Sequence, residues 1–145
     1  MLSIVNPLSE KEAKQINPVV LAFLGDAVYS LWVRGRLARS GSNKPSELQR
    51  AASLLVSARG QSVFLDKILP LLTMEEEEVY RRGRNAKKAT KSKNASVAEY
   101  SRSTGFEAVL GYLHLQGKTE RIEELLSETE ETLLKGQAAQ KPYKP

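Results

Sequence analysis

Residues 19–33 read VVLAFLGDAVYSLWV, a stretch with a single charge, Asp26. At about 100° per residue, Val19 to Leu24 spread apolar side chains around nearly the whole circumference of a helix, which predicts an element covered by neighbours on most sides. Ala22, Asp26, Tyr29, Ser30 and Val33 share one narrower stripe, the place from which a polar group reaches a cleft. An unpaired buried carboxylate is costly, so Asp26 is expected to be neutralised, hydrogen-bonded or bound to metal. A structural Asp satisfied by a cap or an arginine accounts for the spacing equally well.

Outward from this stretch, glycine and proline cluster at a few points, and the apolar residues between them recur at helical spacing without sustained two-residue alternation. The chain therefore reads as all-α. Ser9 with Glu12 has capping-box spacing and opens a short first helix. Asn17 followed by Pro18 starts a second that runs near 18 to 39, with Gly41 as its stop. A third pattern spans Pro45 to Ala58, and a fourth covers roughly Gln61 to Leu69 and stops around Pro70. Thr73 caps a helix with acids in its first turn and Arg81, Arg82 and Arg84 in its last, matching the helix dipole. Ser96 with Glu99 opens another through about Gln116, and Thr119 a last one ending at Lys135.

The 145 residues, 41% of them hydrophobic, suffice for one core, read as a single domain over 1–136 followed by a loose tail over 137–145. The chain has no cysteine, so disulfides, thiolate zinc sites and cysteine nucleophiles drop out, as suits a reducing cytosol. A lone histidine, His114, argues against a His-based zinc site or a Ser-His-Asp triad. Met1 to Gln15 lacks the apolar run of an export signal, and Asp26 interrupts the longest apolar stretch, so a cytoplasmic protein is expected. Any catalysis must rest on carboxylates, bases or bound metal.

The helix opened by Ser96 carries Phe106, Val109, Leu110 and Leu113 on an apolar face, while Tyr100, Ser103, Thr104, Glu107, Gly111 and His114 fall on a separate stripe. Glu107 is the only acid on that stripe. A glutamate on a helix is usually just solvated, but two carboxylates on facing helices meet the needs of Mg²⁺, which takes one or two protein oxygens and leaves the rest to water and phosphate. Metal-assisted phosphodiester hydrolysis is the chemistry such a pair supports.

Residues 81–93, RRGRNAKKATKSK, hold seven lysines and arginines and no acid. With a net charge of +5, this segment is expected to contact RNA through Arg81, Arg82, Arg84, Asn85, Lys87, Lys88, Lys91 and Lys93, because duplex RNA is read largely through phosphates and 2′-hydroxyls. A solvated charged loop is the plain alternative. Aromatic interleaving is absent, which argues against a platform for stacking single strands.

Three words, LAFLGDAVYSLWVR at 21–34, RRGRNAK at 81–87 and STGFEAVLGYLHL at 103–115, resemble Mini-ribonuclease III, a bacterial branch of the ribonuclease III superfamily. The likeness covers roughly residues 16–125. It implies an all-α, ribonuclease III-like endonuclease domain in which Asp26 and Glu107 are the catalytic, metal-binding acids, with Mg²⁺ as cofactor and Mn²⁺ as a substitute. Larger ribonuclease III enzymes carry two further acids, at positions occupied here by Ala22 and Thr104, which leaves the number of metal ions open. The resemblance also implies a homodimer that cleaves double-stranded RNA to 5′-phosphate and 3′-hydroxyl ends. Its implied task is maturation of the large-subunit (23S) ribosomal RNA precursor, with a large-subunit ribosomal protein as a conceivable assistant. Leu31 and Trp32 are suitable material for the dimer interface. Two rivals remain: an inactive RNA-binding scaffold of the same fold, and a helix-turn-helix DNA binder, for which no base-reading recognition helix is evident.

Overall fold

A computed structural model of the chain describes residues 5–86 and 96–129. Seven α-helices and one short 3₁₀ turn make up the described residues, with no strand among them. They are α1 (Glu10–Lys14), α2 (Pro18–Ala38), α3 (Pro45–Val56), α4 (Ala58–Ile68), the 3₁₀ turn (Leu69–Leu71), α5 (Met74–Asn85), α6 (Val97–Leu115) and α7 (Thr119–Ser127).

The starts are local chemistry. Ser9, Thr73 and Ser96 each accept from the third helical N–H while Glu12, Glu76 and Glu99 reach back to the cap backbone. Asn17 caps α2 by accepting from the Val19 amide at 2.8 Å, with Pro18 in the first helical position. The stops follow the sequence less closely. The expected third helix is cut at Val56, because extended Ser57 (ψ 159) turns the chain and caps α4 from Ala58 onward. The last helix ends at Ser127 rather than Lys135, with Glu128 as its C-cap; residues 130–145, including the expected tail, lie outside the described residues.

Helix α6 is the axis of the core. Ser103 to Phe106 and Ala108 to Leu113 are all buried, with α2, α4, α5 and α7 packed around them. The stripe predicted to stand apart from its apolar face is therefore largely covered: Ser103 and Thr104 are buried, each bonding back to the Tyr100 carbonyl, and Gly111 is buried against α2. Tyr29, Phe64 and Phe106 pack as an aromatic trio with centroids 5.7 to 6.0 Å apart, joining α2, α4 and α6. Arg121 on α7 grips buried Glu76 on α5 through two hydrogen bonds of 2.9 and 2.7 Å and also donates to the Leu71 carbonyl.

Helix α2 departs from expectation on one side. Leu21, Val28, Tyr29, Val33 and Leu37 are buried, but Val20, Phe23, Ala27 and Leu31 are exposed, Phe23 by 82%. The reason is that α6, α3 and α5 pack on one flank only.

Candidate active site

Two helices bring the acids together by the closeness of their backbones. A β-carbon at Gly25 would run into the Glu107 backbone oxygen, and one at Gly111 would run into the carbonyl of Leu21. Glycine at both points lets α2 and α6 touch main chain to main chain, as no side-chain-bearing residue there would allow. Because Asp26 follows Gly25 directly, this crossing sets its side chain beside that of Glu107. A second close approach, where Gly105 lies against Tyr80 and Gly83 against Ala108, brings α5 onto α6 as well.

The two carboxyls differ in setting. Asp26 is exposed, contrary to the buried position expected from its apolar stretch, whereas Glu107 is half-buried. Burial pushes the Glu107 carboxyl up to about 8; the Gln61 amide opposes the rise, and the Asp26 charge and hydrogen bonding with its side chain add to it. The same crowding raises the Tyr29 hydroxyl, first through burial and then through the charge on Glu107. Tyr29 donates to the Leu55 carbonyl at 3.3 Å.

Among the described residues no ion pair joins either carboxyl to a cation, and the arrangement fits a hard divalent cation. Ala22 and Thr104 are both buried and supply no further acid. Among the described residues no cluster of three or more His, Cys, Asp or Glu groups exists, so Asp26 and Glu107 are the acids available to hold an ion.

Gln61 is the site residue that sequence reading missed. Fully buried on α4, it donates through Nε2 to Glu107 Oε2 at 2.9 Å and to the Val56 carbonyl at 3.0 Å. A signal was there: Gln61 shares helical spacing with Phe64, Leu65 and Ile68, so it is an amide on an otherwise apolar face.

The basic residues are only partly in view. Arg81 pairs with Glu77 at 4.0 Å, and Arg84 lies over the Tyr80 ring at 5.6 Å while donating to Asn85. Arg82 is half-buried and donates to the Lys14 carbonyl at 2.8 Å, tying α5 to the end of α1. Lys87, Lys88, Lys91 and Lys93 lie outside the described residues.

A helical domain with two acids at a glycine-mediated helix crossing corresponds to a known family: the model of the Ribonuclease III domain matches residues 19–118. A Mini-ribonuclease 3 of Streptococcus pneumoniae is 49% identical over 114 residues, which cover 77% of this chain and 89% of that protein. Its counterpart from Symbiobacterium thermophilum is 42% identical over 136 residues, 94% of this chain and 100% of the other. A crystal structure of a protein from Fusobacterium nucleatum superposes with a TM-score of 0.72 at 29% identity, covering 82% of this chain and 95% of that one. The chain belongs to the ribonuclease III domain family and, within it, to the Mini-ribonuclease 3 group. Membership places it among nucleases that act on RNA.

Proposed function

We propose that this chain is a metal-dependent endoribonuclease that cuts double-stranded RNA, leaving 5′-phosphate and 3′-hydroxyl ends, with Asp26 and Glu107 as the residues that hold Mg²⁺ or, in its place, Mn²⁺. The observation that carries the reading is the Gly25–Gly111 crossing, which sets two carboxylates side by side and raises one of them to about 8. Strongly perturbed carboxyls beside a second acid cluster at functional sites. When bound, the cation supplies Lewis-acid activation of water and stabilisation of charge on the phosphate. Glu107 must give up its proton to serve as a ligand, so cation binding is coupled to proton release. Asp26, exposed at the surface, presents its carboxylate where a phosphodiester can approach.

Substrate reaches the exposed Asp26 carboxylate on α2. Arg81, Arg84, Asn85 and the lysines from 87 to 93 supply contacts to phosphates of the duplex, while Arg82 divides its guanidinium between that role and the Lys14 carbonyl. Val20, Phe23, Ala27 and Leu31 form one exposed apolar face around the same helix, and a second copy of the chain covers it in a homodimer with two cleavage sites. The biological substrate in this reading is the large-subunit (23S) ribosomal RNA precursor in the cytoplasm, where a large-subunit ribosomal protein can assist. No helix among the described residues is long and apolar enough to cross a membrane.

The test is cleavage of a long RNA duplex with Mg²⁺ by the native protein, Asp26→Asn and Glu107→Gln at matched folding. Cutting by the native protein alone supports the reading. Binding without cutting by all three would identify an RNA-binding scaffold instead.

A further inference from the structure

We propose that Gln61 is a positioning residue that fixes the Glu107 carboxylate for the cation, an inference that rests on the assignment of Glu107 as a metal ligand. Three observations carry it. The side chain is fully buried, and its Nε2 spans two acceptors on different elements, Glu107 Oε2 on α6 and the Val56 carbonyl at the end of α3. The clamp is itself braced, because Tyr29 takes the neighbouring Leu55 carbonyl, so the end of α3 is anchored at two successive carbonyls. Finally, Gln61 Oε1 is buried without a partner among the described residues.

A buried oxygen with no donor is costly, and an apolar side chain of the same volume would avoid that cost. What the amide provides, and an apolar group cannot, is its pair of N–H donors. One holds Oε2 of Glu107, which defines the carboxylate's rotation and leaves the other oxygen for the cation. Partners of this kind fix the orientation of ligands, and their loss typically lowers metal affinity by about 10–100-fold. The rival reading is a helix-end cap for Val56 alone, which would affect folding and leave metal affinity unchanged.

The experiment compares Mn²⁺ affinity by calorimetry in the native protein, Gln61→Met, Glu107→Gln and the double variant, with melting temperature followed in each. Gln61→Met is expected to bind Mn²⁺ at least tenfold more weakly while remaining folded, and to add nothing further in the Glu107→Gln background. Native-like affinity in folded Gln61→Met, with Glu107→Gln weakened, overturns the role of Gln61 and leaves the assignment of Glu107 standing. Native-like affinity in Glu107→Gln overturns both. The native fold offers an independent check: the Gln61 side-chain NH₂ signals in a ¹⁵N NMR spectrum should shift on Mg²⁺ addition and again in Glu107→Gln. Signals that stay in place under both changes would overturn the proposal even if Gln61→Met failed to fold.

Discussion

Asp26 and Glu107 are both carboxylates on helices, and burial holds Glu107 well above its ordinary protonation range. The sign of the consequence follows from linkage. Between the usual glutamate value near 4.5 and about 8, the folded metal-free protein keeps a proton that the unfolded chain has lost. Stability contributed by protonated Glu107 is thus complete below the lower value and disappears as pH rises toward the upper one. Chemical denaturation of metal-free native protein should show stability falling across this window, and Glu107→Gln, which cannot ionise, should flatten that part of the profile. Mn²⁺ should restore stability at the alkaline end. The identity of both acids was legible in the sequence, since each is the lone acid on its stripe. Their solvation was not, because the exposure of Asp26 depends on which flank of α2 the other helices leave bare.

At the scale of elements, helix starts were readable because a cap is a contact within four residues, as at Ser9, Asn17, Thr73 and Ser96. Helix ends were less so: the break at Ser57 depends on how α4 must lie to bring Gln61, Phe64 and Leu65 onto the core. The crossing of α2 and α6 makes a paired prediction. An alanine normally improves a helix interior by about 1 kcal/mol over glycine, and Gly35, with open space around it, should show that gain. At Gly25 the new methyl group meets the backbone of Glu107, and overpacking outweighs propensity, with a loss of about 3 kcal/mol or more. Urea denaturation of Gly25→Ala and Gly35→Ala should give shifts of opposite sign.

The tie between α5 and α7 is of a different kind. Burial disfavours ionised Glu76, but the Arg121 guanidinium and the Thr73 amide outweigh it and hold the carboxyl below its usual range. Replacing Arg121 by methionine leaves Glu76 buried without its partner, which typically costs about 3 kcal/mol or more. The melting temperature of Arg121→Met should drop accordingly, whereas Lys44→Met, which removes an exposed lysine 3.7 Å from Glu47, should leave it nearly unchanged.

For the whole molecule, the uncovered face of α2 and the positive charge lead to two expectations. Phe23 is 82% exposed on α2 near the Asp26–Glu107 pair, so in the proposed dimer Phe23→Asp should give a monomer in analytical ultracentrifugation. A native protein that sediments as a monomer would remove the dimer from the proposed mechanism. Duplex RNA affinity should fall at least about tenfold between about 50 mM and about 200 mM salt as phosphate contacts release counterions, and a flat response would count against the role of the basic segment. Both are properties of surfaces that a linear pattern describes poorly: the apolar run at 19–33 looked buried all round, and only the assembled helices distinguish its covered flank from its open one.

The sequence by itself determined the all-α class, most helix starts, the two acids and the family, because each is written in short-range spacing or in contiguous words such as LAFLGDA and STGFEA. The tertiary structure alone decided that Asp26 meets Glu107, that Gln61 clamps the latter, and that one face of α2 is left uncovered. Those facts depend on residues distant in the chain approaching within a few ångströms, and that approach is governed by how glycines and core side chains let whole helices pack.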